Sequence, residues 1–359
     1  MNAKEQIGIA VIGCGAIAWA NAAAIEASKN ARLAYAVDVY SESAARLGQK
    51  YKIPSGTDLA AALKDESVDA VFICAPHFQH APLAEAAARA GKQVIVEKPM
   101  GANLEESELI VSACREAGVK LGVCYCMRYS RKIKFIKEYI AAGGLGRITG
   151  FEIVMIRDRS ENYLKRNTWQ EINPIWHGDK AKAGGGIVIN NGSHYIDYLL
   201  YLTGIKIETV YSSYSTYNLP VNIEESLSSI ATFGKGGIGS ITMGNSIPGC
   251  GTEQNEKITN SLQRIWGTEG HILLIPELKI FSKRRVLNFE PNCWHKIKPA
   301  RVYNSLGSGL AERREFVENF ARAVLEDSIP DISGEDGLRV MRIMDAVYRS
   351  GEAGKPVTI

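Results

Sequence analysis

The 359-residue sequence has no uninterrupted run of about 18 apolar residues, the length that reads as a membrane span. Its first eight residues carry a basic and an acidic side chain and no long apolar run, so no signal peptide is expected either. It also lacks charge of one sign. Lys and Arg number 42 against 39 Asp and Glu, a net charge of +3, far from the excess that marks a nucleic-acid-binding surface. Neither a nucleic acid nor a membrane is therefore expected as a partner. Cysteine is sparse and scattered: seven residues, at 14, 74, 114, 124, 126, 250 and 293, an odd number set mostly in apolar runs. That pattern predicts reduced thiols packing as small hydrophobes, no disulfide framework and a cytoplasmic protein. Cys124 and Cys126 form a CxC with no second pair at ligand spacing, so no metal is expected. Internal repeats and low-complexity tracts are absent as well. What remains, 46% hydrophobic and 23% charged, is a globular composition, and the length suggests two domains.

The first part of the chain alternates strand and helix signals. β-rich runs at 7–12, 33–38, 70–75, 93–97 and 121–125 are separated by helical segments. One of these segments has Asn103 as N-cap, Glu106 three residues on, and Gly118 just past its end. A βαβ series of this kind predicts a doubly wound parallel sheet, a Rossmann fold, over residues 1–127. Beyond Arg128 the pattern changes. Segments 148–156, 207–216, 226–233, 237–243, 257–266, 271–275 and 278–282 alternate apolar and polar residues and are joined by Gly-containing turns. Residues 128–359 are thus expected to form an α+β domain with an open, mostly antiparallel sheet. Its helices include 193–202 and 310–326, the latter with an apolar stripe at 316, 317, 320, 324 and 325.

The chemistry-bearing residues begin at the first strand. Residues 7–12 lead directly into Gly13-Cys14-Gly15-Ala16-Ile17-Ala18, a GxGxxA turn opening a helix. Gly13 allows the tight turn, Gly15 lets a pyrophosphate approach the backbone, and Ala18 allows close helix packing; the backbone at Ala16 and Ile17 then faces the phosphates. Asp38 ends the next strand, 20 residues after Ala18, where a carboxylate accepts from both adenosine ribose hydroxyls and repels a 2′-phosphate. No Arg follows it, so NAD is favoured over NADP. Lys98 ends the run Val94-Ile95-Val96-Glu97-Lys98-Pro99, at the sheet edge where ligands bind. A desolvated lysine there can relay a hydroxyl proton; a lysine that merely ends a strand and points to water is the alternative. Asn190, His194 and Asp197 fall at i, i+4 and i+7, on roughly one helical face. A histidine in that setting is a credible general base, while Asp197 reads as an orienting or capping residue.

These motifs, in this order, resemble the Gfo/Idh/MocA family of oxidoreductases, which includes glucose-fructose oxidoreductase, inositol dehydrogenase and many sugar dehydrogenases. The resemblance covers nearly the whole chain: residues 13–18 and 75–80, Gly91-Lys92 leading to Glu97-Lys98-Pro99, Arg128-Tyr129 and residues 144–148. It continues through Gly184-Gly185-Gly186 to Asn190, Gly192, His194 and Asp197, then to Asp336-Gly337 and 348–354. It implies that Lys98 is the catalytic lysine, that the Lys98-Pro99 bond is cis, and that His194 is the catalytic histidine. It also implies that Ala75, Pro76, His77, His80 and Glu97 lie along the cofactor. One departure matters: many inositol-dehydrogenase-like members have Asp where this chain has Asn190. Asn cannot take a proton, so Asn190 would position the substrate while His194 and Lys98 carry the proton.

The polar and aromatic stretch 157–182, with Arg157, Tyr163, Trp169, Trp176 and His177, is the expected substrate loop, and Arg128 joins it as a candidate contact. The basic residues Arg131, Lys132, Lys134 and Lys137 read more simply as a solvated helix face than as an anion site. The expectation is an NAD-dependent dehydrogenase that oxidises a ring hydroxyl of a sugar, glycoside or cyclic polyol. A keto-sugar reductase and a sugar–sugar oxidoreductase with tightly held cofactor stay open. So does a non-catalytic NAD- and sugar-sensing regulator, against which the presence of both Lys98 and His194 argues. The open sheet predicts a homo-oligomer, a dimer, tetramer or larger, because its outer face is otherwise left apolar and exposed.

Overall fold

The computed structural model describes residues 5–157, 176–217, 219–245, 247, 250, 261–297 and 309–359. Two compact units result, Met1–Tyr129 with Gly307–Met341, and Ser130–Leu306 with Arg342–Ile359. Among the described residues no helix is long and apolar enough to cross a membrane.

In the first unit six strands, β1 (Ile7–Ile12), β2 (Ala31–Val37), β3 (Ser55–Gly56), β4 (Ala70–Ile73), β5 (Gln93–Val96) and β6 (Leu121–Val123), form one parallel sheet. Helices α1 (Ala16–Glu26), α2 (Ser41–Tyr51), α3 (Leu59–Lys64), α4 (His80–Arg89) and α5 (Leu104–Glu116) connect them. The order β3-β2-β1-β4-β5-β6 is that of the Rossmann fold. Every residue of β1 is buried, as the uninterrupted Ile-Gly-Ile-Ala-Val-Ile run requires of a central parallel strand. The chain leaves β1 toward β2 on one side and β4 on the other, so the loops after β1 and β4 diverge and open the crevice in which such sheets bind ligands. The α5 signals are realised: Asn103 accepts from the Glu106 amide at 2.8 Å, Glu106 reaches back to the Ala102 amide at 3.0 Å, and Gly118 follows the helix with φ +67°. The two-residue β3 has no counterpart in the sequence pattern because it is too short to show a period.

The second unit begins with α6 (Arg131–Ala141) and β7 (Ile148–Ile156), followed by α7 (Lys180–Ala183) and α8 (Ser193–Thr203). Strands β8 (Ile207–Ser215), β9 (Ser226–Phe233), β10 (Gly237–Gly244), β11 (Leu262–Gly267), β12 (Gly270–Ile275), β13 (Lys279–Ser282) and β14 (His295–Lys296) come next. Helices α9 (Leu310–Leu325) and α10 (Gly334–Ala353) and strand β15 (Val357–Thr358) complete the chain. The sheet runs β14-β13-β12-β11-β7-β10-β9-β8-β15, with β7 and β10 parallel and the other pairs antiparallel. Helix α8 packs on the inner face: a Cβ at Gly192 would lie 3.1 Å from the Met243 sulfur, and Tyr198 bonds Gln263. The outer face presents Tyr211, Ile230 and Ile238, which are 47%, 53% and 57% exposed.

Helix α9 departs from the expected division of the chain. The sequence groups it with residues 128–359, but it packs in the first unit, against α1, β1 and β2. Its apolar stripe finds the flank of the parallel sheet, where Phe316 meets Phe72 with ring centroids 6.4 Å apart. The stripe shows that a helix must bury one face; nothing in it names the sheet. Truncating Phe316 to Ala is expected to destabilise the first unit by about 3–5 kcal/mol, as a large-to-small core change does. Urea unfolding followed through a probe in that unit measures the loss.

Candidate active site

In the first unit the candidate residues gather at the carboxyl ends of β1, β2, β4 and β5. Gly13 has φ +88°, and a Cβ there would lie 2.8 Å from the Ala75 amide nitrogen, so the turn admits only glycine. A Cβ at Gly15, by contrast, would point into open space. Gly15 also precedes α1 without any side-chain cap, and the first turn of α1 carries no acid. Exposed donors, a positive helix end and no competing carboxylate are the features that receive a pyrophosphate. Asp38 braces this loop, its two carboxylate oxygens accepting from the Cys14 amide at 2.6 Å and the Tyr40 amide at 2.9 Å. Each oxygen keeps a lone pair for a ribose hydroxyl. The residues therefore fit a dinucleotide. Ala16 and Ile17 are exposed beside the loop, and Ala75 and Pro76 are half-buried at the end of β4.

Three residues of the same edge are turned inward. His80 is 0% exposed, with Nε2 2.9 Å from Ala75 O and Nδ1 3.1 Å from Pro99 O. It lashes the β4 and β5 loops together rather than facing a ligand, and burial lowers its pKa. His77 is buried with its ring 5.7 Å from that of His80. The Glu97 carboxylate is also buried: Oε1 accepts from Asn21 Nδ2 and from Arg313 Nη1, both at 2.9 Å, and Oε2 from the Lys98 amide at 3.1 Å. Arg313 also bonds Asn21 Oδ1. Burial alone would raise the Glu97 carboxyl, but the Arg313 and Lys98 cations hold it below the usual range. Lys98 is half-buried and its peptide bond to Pro99 is cis. Desolvation lowers its amine below the ordinary lysine value, with Glu97 opposing and Arg313 assisting that shift. Arg128, expected at the substrate, is buried with its guanidinium 3.3 Å from Asp336.

In the second unit the Gly184–Gly186 segment leads into a π-helical turn, Val188–Gly192, and then α8. Asn190 sits in the π turn and His194 in the first turn of α8, so the wider turn intervenes in the regular spacing the sequence suggests. Both side chains are half-buried, whereas Asp197 is buried. Asn190 Nδ2 donates to Gly186 O at 3.0 Å. The element is held at its start by Glu224, which sequence reasoning did not single out. Glu224 Oε2 accepts from the Gly186 amide at 2.7 Å, and Oε1 from the Val188 amide at 3.0 Å and the Tyr348 hydroxyl at 2.9 Å. A Cβ at Gly186 would stand 2.0 Å from the Glu224 carbonyl oxygen, which is why this approach needs glycine. Arg157, at the end of β7, donates to the Tyr195 hydroxyl at 3.1 Å, next in sequence to His194. Trp176 and His177 form a half-buried turn with ring centroids 3.6 Å apart. Tyr163 and Trp169 lie outside the described residues. Of the basic residues assigned to a solvated helix face, Lys132 is instead buried, which brings its pKa down to about 8, and Lys137 bonds Tyr201 O at 2.5 Å. Replacing Glu224 by Ala strands two buried backbone donors. It is expected to cost about 1–3 kcal/mol in chemical denaturation, with Tyr348→Phe costing less.

Two family models cover this architecture. One, described as an oxidoreductase family with an NAD-binding Rossmann fold, matches residues 7–125, and the second, its C-terminal alpha/beta domain, matches residues 137–359. Levoglucosan dehydrogenase of Pseudarthrobacter phenanthrenivorans is 25% identical, covering 86% of this chain and 85% of its own. Myo-inositol 2-dehydrogenase of Thermotoga maritima is 24% identical, covering 98% of both chains. Among solved structures, levoglucosan dehydrogenase in complex with NADH and levoglucosan superposes with a TM-score of 0.82 at 23% identity, covering 99% of each chain. The WlbA dehydrogenase from Bordetella pertussis, in complex with NADH and UDP-GlcNAcA, also has a TM-score of 0.82 at 23% identity, covering 100% of this chain and 99% of its own. With both models matched in order along the chain, the protein belongs to the Gfo/Idh/MocA family of oxidoreductases and carries that family's NAD-binding Rossmann domain.

Proposed function

We propose that the protein is an NAD-dependent dehydrogenase that oxidises a ring hydroxyl of a sugar, glycoside or cyclic polyol to a ketone. The observation that carries the reading is a desolvated lysine, Lys98, on the same sheet edge as the Gly13–Gly15 cradle and Asp38. Relatives named for levoglucosan, D-xylose and myo-inositol support the substrate class. The nicotinamide supplies the hydride acceptor. The chain's residues do the rest. The Gly13–Gly15 backbone and the start of α1 hold the pyrophosphate, and Asp38 holds the ribose diol and disfavours a 2′-phosphate. As the C–H electron pair leaves for the nicotinamide, the hydroxyl proton passes to His194, with Lys98 polarising the oxygen and relaying the proton. Asn190, which cannot ionise, orients the alcohol through its amide. Arg157, Trp176 and His177 are the described members of the proposed substrate segment.

An amine must be neutral to accept a proton. The lowered Lys98 amine therefore predicts that, in the oxidative direction, kcat/KM rises with pH and levels off below the ordinary lysine range. Lys98→Ala and His194→Ala are each expected to lower kcat by roughly 10²–10⁴-fold. The check is nicotinamide reduction with NAD and NADP against free sugars, glycosides, sugar phosphates, uronates and inositols. Turnover that survives both substitutions defeats the proposed roles.

We also propose that a second copy of the chain covers the outer face of the second unit's sheet. Tyr211 and Ile230 are directly paired across β8 and β9, and Ile238 lies on the neighbouring β10 opposite Thr232, giving three exposed apolar side chains on one face that a two-fold contact can match with itself. Light scattering at micromolar concentration is expected to give a multiple of 39.2 kDa, and Ile230→Asp to reduce it. A monomeric wild-type protein ends the idea.

A further inference from the structure

We propose that Arg313 and Glu97 act as a buried charge pair that sets the charge state of Lys98, which makes Arg313 a positioning residue for proton transfer. The inference rests on the reading of Lys98 as the proton carrier and extends it to a residue on the far side of the sequence. Arg313 enters the first unit on α9 and places one guanidinium nitrogen against both Glu97 and Asn21, while the other Glu97 oxygen receives the Lys98 amide. Arg313 and Glu97 thus form a buried row of opposite charges that reaches the backbone of Lys98. Asn21 completes the row without adding charge.

The Cys124 and Cys126 thiols also act on Lys98, while Cys74 and His80 stand beside Glu97. Burial pushes the Cys74 and Cys124 thiols far up, so both stay uncharged near neutrality, and it pushes the His80 imidazole down, while the Ala75 and Pro99 carbonyls favour its protonated ring. Glu97 and Arg313 are then the fixed charges that act on the lysine from below. A buried ion pair does little for net stability that well-packed apolar residues could not do. A role in electrostatic control explains what an apolar substitute could not supply. The signs are definite: Glu97 favours the ammonium form and Arg313 the neutral amine.

The test reads Lys98 directly. The pH dependence of its modification by an amine-selective acylating reagent, followed by peptide mass spectrometry on the full-length protein, gives a titration midpoint independent of turnover. Glu97→Gln, which leaves Arg313 uncompensated, is expected to move the midpoint down by about one pH unit, tenfold in neutral amine at a given pH. Glu97→Gln with Arg313→Gln is expected to bring it back, and Arg313→Lys to leave it near wild type. If Glu97→Gln does not fold, Arg313→Met carries the test with the opposite sign, an upward shift. A midpoint that is the same in every folded variant, or a double variant that stays shifted, overturns the proposal. A midpoint that moves while the kcat/KM profile stays in place upholds the charge pair and removes Lys98 as the proton carrier.

Discussion

The first unit is organised around one buried carboxylate. Glu97 lies at the end of β5 and is met by Asn21 from α1 and Arg313 from α9, so a single anion joins three segments remote in sequence. An uncompensated charge at that depth is strongly unfavourable, and removing one partner of such a pair typically costs about 3–5 kcal/mol. The three elements are therefore tied to one another in the folded unit. Glu97 also accepts from the backbone of Lys98, and His80 bonds carbonyls on both neighbouring loops. The cradle and the lysine consequently share a rigid base, as a site must if its geometry is to favour a transition state.

The second unit solves a similar problem with a second buried acid. Glu224 satisfies the amides that open the His194-bearing element, and burial raises its carboxyl above the ordinary value. Where Glu97 answers a cation, Glu224 answers backbone dipoles and a hydroxyl. Both carboxylates are removed from solvent and direct another group rather than presenting themselves. Such a division leaves the half-buried positions to Lys98, Asn190 and His194.

What the sequence discloses is what is local. The Gly13–Gly15 turn and the α5 caps depend on residues within a few positions of one another, and Asp38 follows the turn at a fixed interval of 20 residues after Ala18, so spacing suffices to read them. The doubly wound order follows from a strand–helix alternation that admits few topologies. Arg313, Asn21, Tyr348 and Glu224 act on partners 36 to 292 residues away, and no local period marks them. His80 shows a different limit: its segment belongs to the ligand edge, but the direction of its ring is set by carbonyls that only the folded backbone brings together. The π turn at Val188–Gly192 is similar, since regular helical spacing carries no sign of one extra residue in a turn.

Because α9 belongs to the first unit, that unit is discontinuous in the order of synthesis. Glu97 and Arg313 are 216 residues apart. At about 5–20 residues per second, roughly 10–40 seconds pass between the emergence of the acid and that of the base which neutralises it. During that interval the parallel sheet can assemble, but its anion lacks a counter-charge and the flank that receives Phe316 remains open to water. Completion of the nucleotide-binding unit is in this way tied to translation of nearly the whole chain.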